Sequence, residues 1–519
     1  MNRLKMAAII IFISAFFVRV YNLGLFPLNH DEATWALTSV EHFDKVLGIP
    51  VACFNGYIRP FLIYFIFFTK KIFSSTALAV RIPSAMVGVA TVVLIYQLAK
   101  EMYGKRAGLI SALLLSFLPW HVIQSRDGRE MIATPFLGCL IALMLFKAIR
   151  KRSNGYLMLF WIFLGVGSFY TYQLSILFVP IFVIVLLFLR KRFRWVKPRI
   201  FLAGILTFLI ILSPLIYLQI KEQIPRYSGK YHWYYYNDRP FGSSDSLVTF
   251  LMKAGENFRK NNLMVLETLF SASQGRLLYG AALKAPLLIA KPTIFIILIS
   301  IIISLWRRRV QDKIILIWLI LGYLGGVSGV RFFSPRHVII ILAPSLILIS
   351  RFIAEIFGYA VKMSSFRGRL LNLGGIFLCA GLVFTEVFQL VRYYQIAPTN
   401  FEECRRNSYG CKEAAYYLSQ IPDIENCRII TNGRMTVCTY LKYFGISLQD
   451  DMVHRKRDEE NPIYYVIWAP ESHPQDYWIK PYFGDLKVKH PQIKPVKTIY
   501  YPNGLEAIHI FRGKEKEKM

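Results

Sequence analysis

Acidic residues are the scarce component of this 519-residue chain: 31 Asp and Glu stand against 62 Lys and Arg, a formal net charge of +31. On a soluble protein that excess would point to nucleic acid. Here the basic residues fall between long apolar stretches, which excludes a nucleic-acid partner and gives them the task of orienting the chain in a membrane. Cysteine is sparse too. The seven cysteines contain no Cys-x-x-Cys pair, so a structural zinc site is unsupported. There is no Walker phosphate loop, no dinucleotide fingerprint and no zinc-protease helix motif. The apolar stretches carry few charges, which argues against an ion or proton relay. No inverted repeat with paired broken helices is visible, which argues against a secondary transporter.

What is abundant is apolar material: 55% of residues are hydrophobic and 15% aromatic. A helix needs about 20 apolar residues to cross the hydrocarbon core, and such stretches recur along the chain. The first, from about Met6 to Leu25, lacks a small-residue cleavage site and reads as an uncleaved span. With Arg3 and Lys5 in the cytosol and each span reversing the side, every strongly basic connection falls on the cytosolic face. These are Lys100 to Arg106, Lys147 to Arg152, the run "RKRFRWVKPR", Arg307 to Arg309, and Lys362 to Arg369. The pattern predicts a polytopic α-helical membrane protein of the plasma or inner membrane with about eleven spans over residues 1–394. Its large external loops are 26–79 and 219–285. The stretch from Arg59 to Phe73 is too short to cross, and counting it would reverse the later clusters; it is expected as an interfacial or re-entrant helix.

Residues 395–519 are expected to form a small extracytoplasmic α/β domain. "KEAAYYLSQI" and "MTVCTYLKYF" are helix candidates; "CRIITN", "IYYVIWAP", "VKTIYY" and "EAIHIF" are strand candidates. Cys404, Cys411, Cys427 and Cys438 all fall here, where an oxidising compartment would permit disulfides. Cys139 and Cys379 lie inside apolar spans and read as small hydrophobes.

The segment "PLNHDEATWAL" places Asp31 and Glu32, preceded by His30, just after the first span. Adjacent carboxylates at a membrane interface often mark a site; the structural alternative is that Asp31 caps a helix. Asp127, in "SRDGRE", is expected on the same face, either in an ion-paired turn or framing a polar pocket with Asp31. Arg59, Arg81 and Arg336 stand at outer helix ends. Snorkelling to lipid phosphate and binding of a phosphate or diphosphate leaving group both account for them. The aromatic stretch around Trp233 suits a membrane interface or stacking on sugar rings.

The order "DEA", "RPFLIYF", "ALAVRIPSAMVGVATVVLIYQLA" and "SRDGRE" within the first 130 or so residues resembles the C-type (GT-C) membrane glycosyltransferases of glycosyltransferase family 39. That group is related to protein O-mannosyltransferases and lipid A aminoarabinose transferases. Arg81 to Ala85 match its Arg-Ile-Pro-Ser-Ala signature, and Arg59 with Pro60 match the basic-Pro motif of its first loop. Arg336 and His337, followed by Pro344, approximate its Arg-Tyr before a late span. The resemblance implies a polyprenyl-phosphate sugar donor, an acceptor hydroxyl on a glycan, lipid or protein, and inversion at the anomeric carbon. It implies Asp31 as general base, Glu32 and Asp127 as its positioning or metal-binding partners, and Arg59, Arg81 and Arg336 on the donor phosphate. His30, Tyr57, His337 and Trp233 would line the substrate. The resemblance makes no cofactor certain, and the acidic set permits a divalent metal ion without demanding one. A flippase for polyprenyl-linked glycans and a non-catalytic assembly factor are the competing classes; a flippase would place its charges along a central cavity rather than at one loop.

Overall fold

The computed structural model describes residues 3–24, 27–29, 31–33, 35–36, 53–54, 57–58, 60–221, 255–256, 258–263, 291–328, 335–363, 366–396, 409–422, 424–431, 434–446, 463–469 and 493–513. The eleven stretches expected to cross are helical. In chain order they are α1 (Arg3–Val20), α3 (Thr76–Tyr103), the pair α4 (Lys105–Phe117) and α5 (Pro119–Arg126), α6 (Ala133–Lys151), α7 (Asn154–Phe169), α8 (Phe178–Phe188), α9 (Pro198–Lys221), α10 (Lys291–Arg307), α11 (Val310–Tyr323), α12 (Ile339–Lys362) and α13 (Phe366–Ile396). Among the described residues five helices are long and apolar enough to cross a membrane, and the α4–α5 pair makes a sixth. α7, α8, α9 and α10 contribute shorter apolar stretches.

The third stretch departs from expectation. It is not one straight helix: the chain bends by 61° after Phe117 and continues as α5 to Arg126. Proline has no N–H to give to the carbonyl four residues earlier, and Pro119 therefore breaks the ladder.

The helices alternate so that the basic connections share one end of the bundle. Arg150 meets Glu101 at 2.6 Å there, and Tyr103 donates to Asp312 at 2.8 Å. Asp312 is fully buried and also receives Arg351 Nη1 at 2.8 Å. Arg351 Nε reaches Glu355 Oε1 at 3.0 Å, and Glu355 in turn contacts Arg307. This network ties α3, α10, α11 and α12 together at the basic end. Deeper in the bundle, Trp318 fills the space between Phe178 and Phe182, and Gly138 lets α6 approach it.

At the opposite end, α2 (Pro60–Ile72) is the short helix expected between Arg59 and Phe73. Leu62, Ile63 and Ile66 are buried on one face, while Phe65, Phe68 and Ile72 stay exposed on the other. A two-stranded ribbon, β1 (Cys53–Phe54) with β2 (Tyr57–Ile58), precedes it.

The C-terminal part forms the elements read from its sequence. They are α14 (Cys411–Ser419), β3 (Arg428–Thr431), α15 (Arg434–Tyr443), β4 (Ile463–Trp468), β5 (Lys497–Tyr500) and β6 (Glu506–Gly513). The sheet order is β3-β4-β6-β5, with β3 and β4 parallel and the other pairs antiparallel. Ala414, Ala415 and Leu418 of α14 and Val437 and Leu441 of α15 pack on Val466, Ile508 and Ile510 of the sheet. The same apolar cluster takes in Leu28, Trp35, Leu62 and Val80, so this part is seated on the non-basic end of the bundle. Among the described residues no disulfide forms. Cys411 lies in that core, where burial pushes its thiol up to about 12.

The basic-end network generates the first prediction. Arg351→Leu leaves the buried Asp312 carboxylate without its cation and should cost roughly 3–5 kcal/mol of unfolding free energy. Adding Asp312→Leu should return most of that loss. Denaturant unfolding of the purified chain in detergent checks both; an Arg351→Leu variant as stable as the parent would contradict the network's role.

Candidate active site

The chain leaves α1, turns, and enters a short helical segment at 31–33 and 35–36. A reciprocal cap starts that segment. The Glu32 N–H donates to Asn29 Oδ1 at 3.0 Å, and the Asn29 N–H donates to Glu32 Oε2 at 3.0 Å. This is a capping box, with Asn in the Ser/Thr place and Glu three residues on. The cap is therefore Asn29, not Asp31, and the Asp31 side chain is released from that duty. Asn29 is absent from the site residues expected above, and its sequence signal is the Asn-x-x-Glu spacing within "NHDE".

Glu32 is wholly buried, and its two oxygens accept four hydrogen bonds. Arg81 Nε and the Gly128 N–H reach Oε1 at 2.7 and 2.8 Å. Arg81 Nη2 and the Asn29 N–H reach Oε2 at 2.8 and 3.0 Å. Arg81 sends its remaining hydrogens to backbone: Nη1 to the Leu23 carbonyl at 3.0 Å and Nη2 to the Pro27 carbonyl at 2.9 Å. A fork-on-fork pair with every lone pair filled offsets the heavy cost of burying two charges. It also fixes the roles available to both residues. Glu32 faces no solvent and has no free lone pair for a substrate proton or a metal. Arg81, expected on a donor phosphate, is committed instead to Glu32 and the first loop.

Asp31 and Asp127 behave differently. The Asp31 side chain is 46% exposed and its Oδ2 lies 3.1 Å from Arg129 Nη1. Asp127 is 10% exposed; its Oδ1 accepts from Asn29 Nδ2 at 2.8 Å and its Oδ2 lies 3.0 Å from Arg129 Nε. Arg129 thus sits between two carboxylates from separate loops and lowers the cost of holding both ionised at close range. Sequence reading placed Asp31 and Asp127 on one face, and the structure brings them onto the same arginine. Gly128 allows the close approach: a Cβ there would stand 2.4 Å from Val80 Cγ1 and 3.1 Å from the Val80 carbonyl oxygen.

α15 covers this loop. Tyr440 Oη accepts the Leu28 N–H at 2.7 Å, and Thr439 Oγ1 donates to the Ala33 carbonyl at 3.2 Å. Burial raises the Tyr440 phenol above its ordinary value, so it is neutral at neutral pH.

The other expected residues are not gathered by the described structure. His30, Arg59 and Trp233 lie outside the described residues. Tyr57 is placed by its backbone, opposite Phe54 in the β1–β2 ribbon. Arg336 lies in the short turn Pro335–Val338, and His337 beside it is buried rather than exposed to a cleft. Among the described residues no group of three His, Cys, Asp or Glu side chains could hold a metal ion.

Comparison with known proteins gives the fold its class. Residues 59–218 match the family model described as dolichyl-phosphate-mannose-protein mannosyltransferase. The chain superposes on ArnT from Cupriavidus metallidurans bound to undecaprenyl phosphate, with a TM-score of 0.58 at 14% identity over 98% of this chain and 97% of that one. It also superposes on the oligosaccharyltransferase AglB from Archaeoglobus fulgidus in complex with an inhibitory peptide and a dolichol-phosphate. There the TM-score is 0.55 at 12% identity over 100% of this chain and 75% of that one. The chain is a membrane protein with the C-type glycosyltransferase fold. A further relative is YkcB of Bacillus subtilis (strain 168), named as a proposed mannosyltransferase, 28% identical over 170 residues. The aligned part spans 32% of this chain and about a quarter (24%) of YkcB.

Tyr440→Phe should leave the Leu28 N–H buried and unpaired, costing about 1–3 kcal/mol. Because the Tyr440 pKa is raised on folding, its contribution is present below the unfolded value of about 10 and is lost as pH rises through the folded one. Thermal melts from neutral to alkaline pH should therefore show a smaller alkaline loss in Tyr440→Phe than in the parent. Equal losses would contradict the contact.

Proposed function

We propose that this chain transfers a sugar from a polyprenyl-phosphate-linked donor to an acceptor hydroxyl at the extracytoplasmic face of the membrane, with inversion of the anomeric centre. The observation that carries the proposal is the unequal state of the three carboxylates. Glu32 is saturated, Asp127 is nearly enclosed, and Asp31 is exposed, with Arg129 as its ion-pair partner among the described residues. A base must reach the proton that it removes, and of these three Asp31 alone is open to an arriving substrate. The C-type fold and the mannosyltransferase family match over 59–218 support the reaction class. The undecaprenyl phosphate and dolichol-phosphate held by ArnT and AglB support the donor class.

In this reading an Asp31 carboxylate oxygen takes the acceptor's hydroxyl proton as the hydroxyl oxygen bonds to the anomeric carbon. The bond to the phosphate oxygen breaks on the opposite face, and polyprenyl phosphate departs with the electron pair. Arg129 holds the Asp31 carboxylate in place, Asp127 holds Arg129 in turn, and Asn29 holds Asp127. Arg59 and Arg336 are the proposed contacts for the negative charge gathering on phosphate, where fixed cations lower the barrier. Arg81 acts one step back, by shaping the loop through Glu32. The basic connections at the far end of the bundle support a cytosolic placement for that end, which puts Asp31 and the C-terminal part outside.

The test is transfer of radiolabelled sugar from polyprenyl-phosphate donors, mannosyl first, by the purified chain in lipid nanodiscs. Asp31→Asn, which keeps shape and loses basicity, should lower turnover by about 10²-fold or more with donor binding retained. Full turnover in Asp31→Asn would overturn the assignment of the base.

A further inference from the structure

Arg19 lies in the last turn of α1, inside an apolar segment, and is completely buried. A guanidinium in that position needs acceptors, and the break between α4 and α5 supplies them. Pro119 has no N–H for the Leu115 carbonyl four residues before it, and Leu118 leaves the helical conformation at φ −59°, ψ 110°. Arg19 Nη2 donates to the Leu115 carbonyl at 3.0 Å and Nη1 to the Ser116 carbonyl at 3.1 Å. Nη1 also donates to its own Ala15 carbonyl at 2.9 Å. Nη2 stands 2.8 Å from His121 Nδ1. A guanidinium only donates, so Nδ1 accepts and the neutral ring carries its proton on Nε2.

The exchange is returned from the other helix. Arg126, in the last turn of α5, donates Nη1 to the Arg19 and Tyr21 carbonyls at 3.1 and 2.5 Å, and Nη2 to the Asn22 carbonyl at 2.9 Å. These are carbonyls at and beyond the end of α1, where a helix has no donors of its own. The Tyr394 ring lies 4.9 Å from the Arg126 guanidinium, and its hydroxyl donates to the Val18 carbonyl at 2.7 Å. α3 closes against the junction at Gly88, where a Cβ would stand 2.4 Å from Ser125 Cβ and 3.1 Å from Arg19 Nε.

α1 leads into the loop carrying Asn29, Asp31 and Glu32, and α5 leads directly into Asp127, Gly128 and Arg129. The two arginines therefore lock the roots of both loops before either begins. We infer that Arg19 is a positioning residue for the carboxylate site: by satisfying the carbonyls of the broken helix, it fixes the bend that sets Asp127 and Arg129 against Asp31. The inference rests on Asp31 as the base only for its kinetic consequence; the geometry stands without it.

The test uses the full chain with Arg19→Met, Arg19→Lys and the double variant Arg19→Met/Pro119→Ala. Hydrogen–deuterium exchange reads the geometry whether or not sugar is transferred. Arg19→Met should speed exchange at least severalfold in 27–36 and 127–132 and leave α14 to β6 unchanged. Arg19→Lys, which keeps the charge and fewer donors, should fall between. In the double variant residue 119 regains an N–H for Leu115, so the melting temperature should recover. Turnover should stay at least tenfold below the parent, because straightening the bend moves Asp127 and Arg129. Parent-like exchange in Arg19→Met would overturn the inference, as would recovery of turnover together with melting temperature. If the parent transfers no sugar but the exchange pattern holds, the reaction assignment fails and the positioning role survives.

Discussion

The ion pair between Glu32 and Arg81 is the interaction on which the carboxylate site depends. It joins a residue of the first loop to the start of α3, and its oxygens also hold the Asn29 and Gly128 amides. Three segments distant in sequence thereby share one carboxylate. Burying two charges in an apolar bundle is unfavourable unless every donor and acceptor is matched. The matching here is close to complete, because Arg81 turns its other hydrogens to the carbonyls of Leu23 and Pro27. Replacing one partner alone would strand the other. That makes the pair a strong determinant of the loop's conformation, independent of how much it adds to net stability.

Fixing Glu32 in this way divides the acidic residues by task. Two adjacent carboxylates, Asp31 and Glu32, point into different environments because a short helical segment turns successive side chains by about 100°. One faces the interior and Arg81; the other faces solvent and Arg129. Asp127 takes the intermediate position, held by Asn29 and Arg129 with little exposure. The α15 helix closes over the same loop through Tyr440 and Thr439. Scaffold, cover and accessible carboxylate are thus contributed by different parts of the chain, while the charge network around Arg351 secures the bundle's other end.

Much of this was legible in the sequence, and for physical reasons. Apolar length revealed the helices, and the short run after Arg59 was separable from them because it could not cross. Alternation of basic connections gave the order of the bundle, so Asp31 and Asp127 could be placed together. Composition and period marked both helices and all four strands of the C-terminal part. What was hidden was partner choice. A helix cap was one of two readings open for Asp31, because Asp is a common cap, yet Asn29 three residues before Glu32 satisfies the cap from both sides. Arg81 resembled a phosphate ligand because nothing local shows that Glu32 lies beside it in space. The bend at Pro119 had a visible cause, but Arg19, the residue that stabilises it, lies some 100 residues away. Pairings between distant segments arise only when the helices pack, and a local pattern cannot report them.

Asp31 is the proposed carboxylate at which substrate arrives. A cryo-electron microscopy map of the full chain in nanodiscs with a polyprenyl-phosphate sugar tests it most directly. The sugar's anomeric carbon should stand beside the Asp31 carboxylate, with Glu32 and Arg81 still bonded to each other and out of contact with the donor. A headgroup resting on Arg81 with the Glu32 pair broken, or held at the basic end near Arg351, would contradict it.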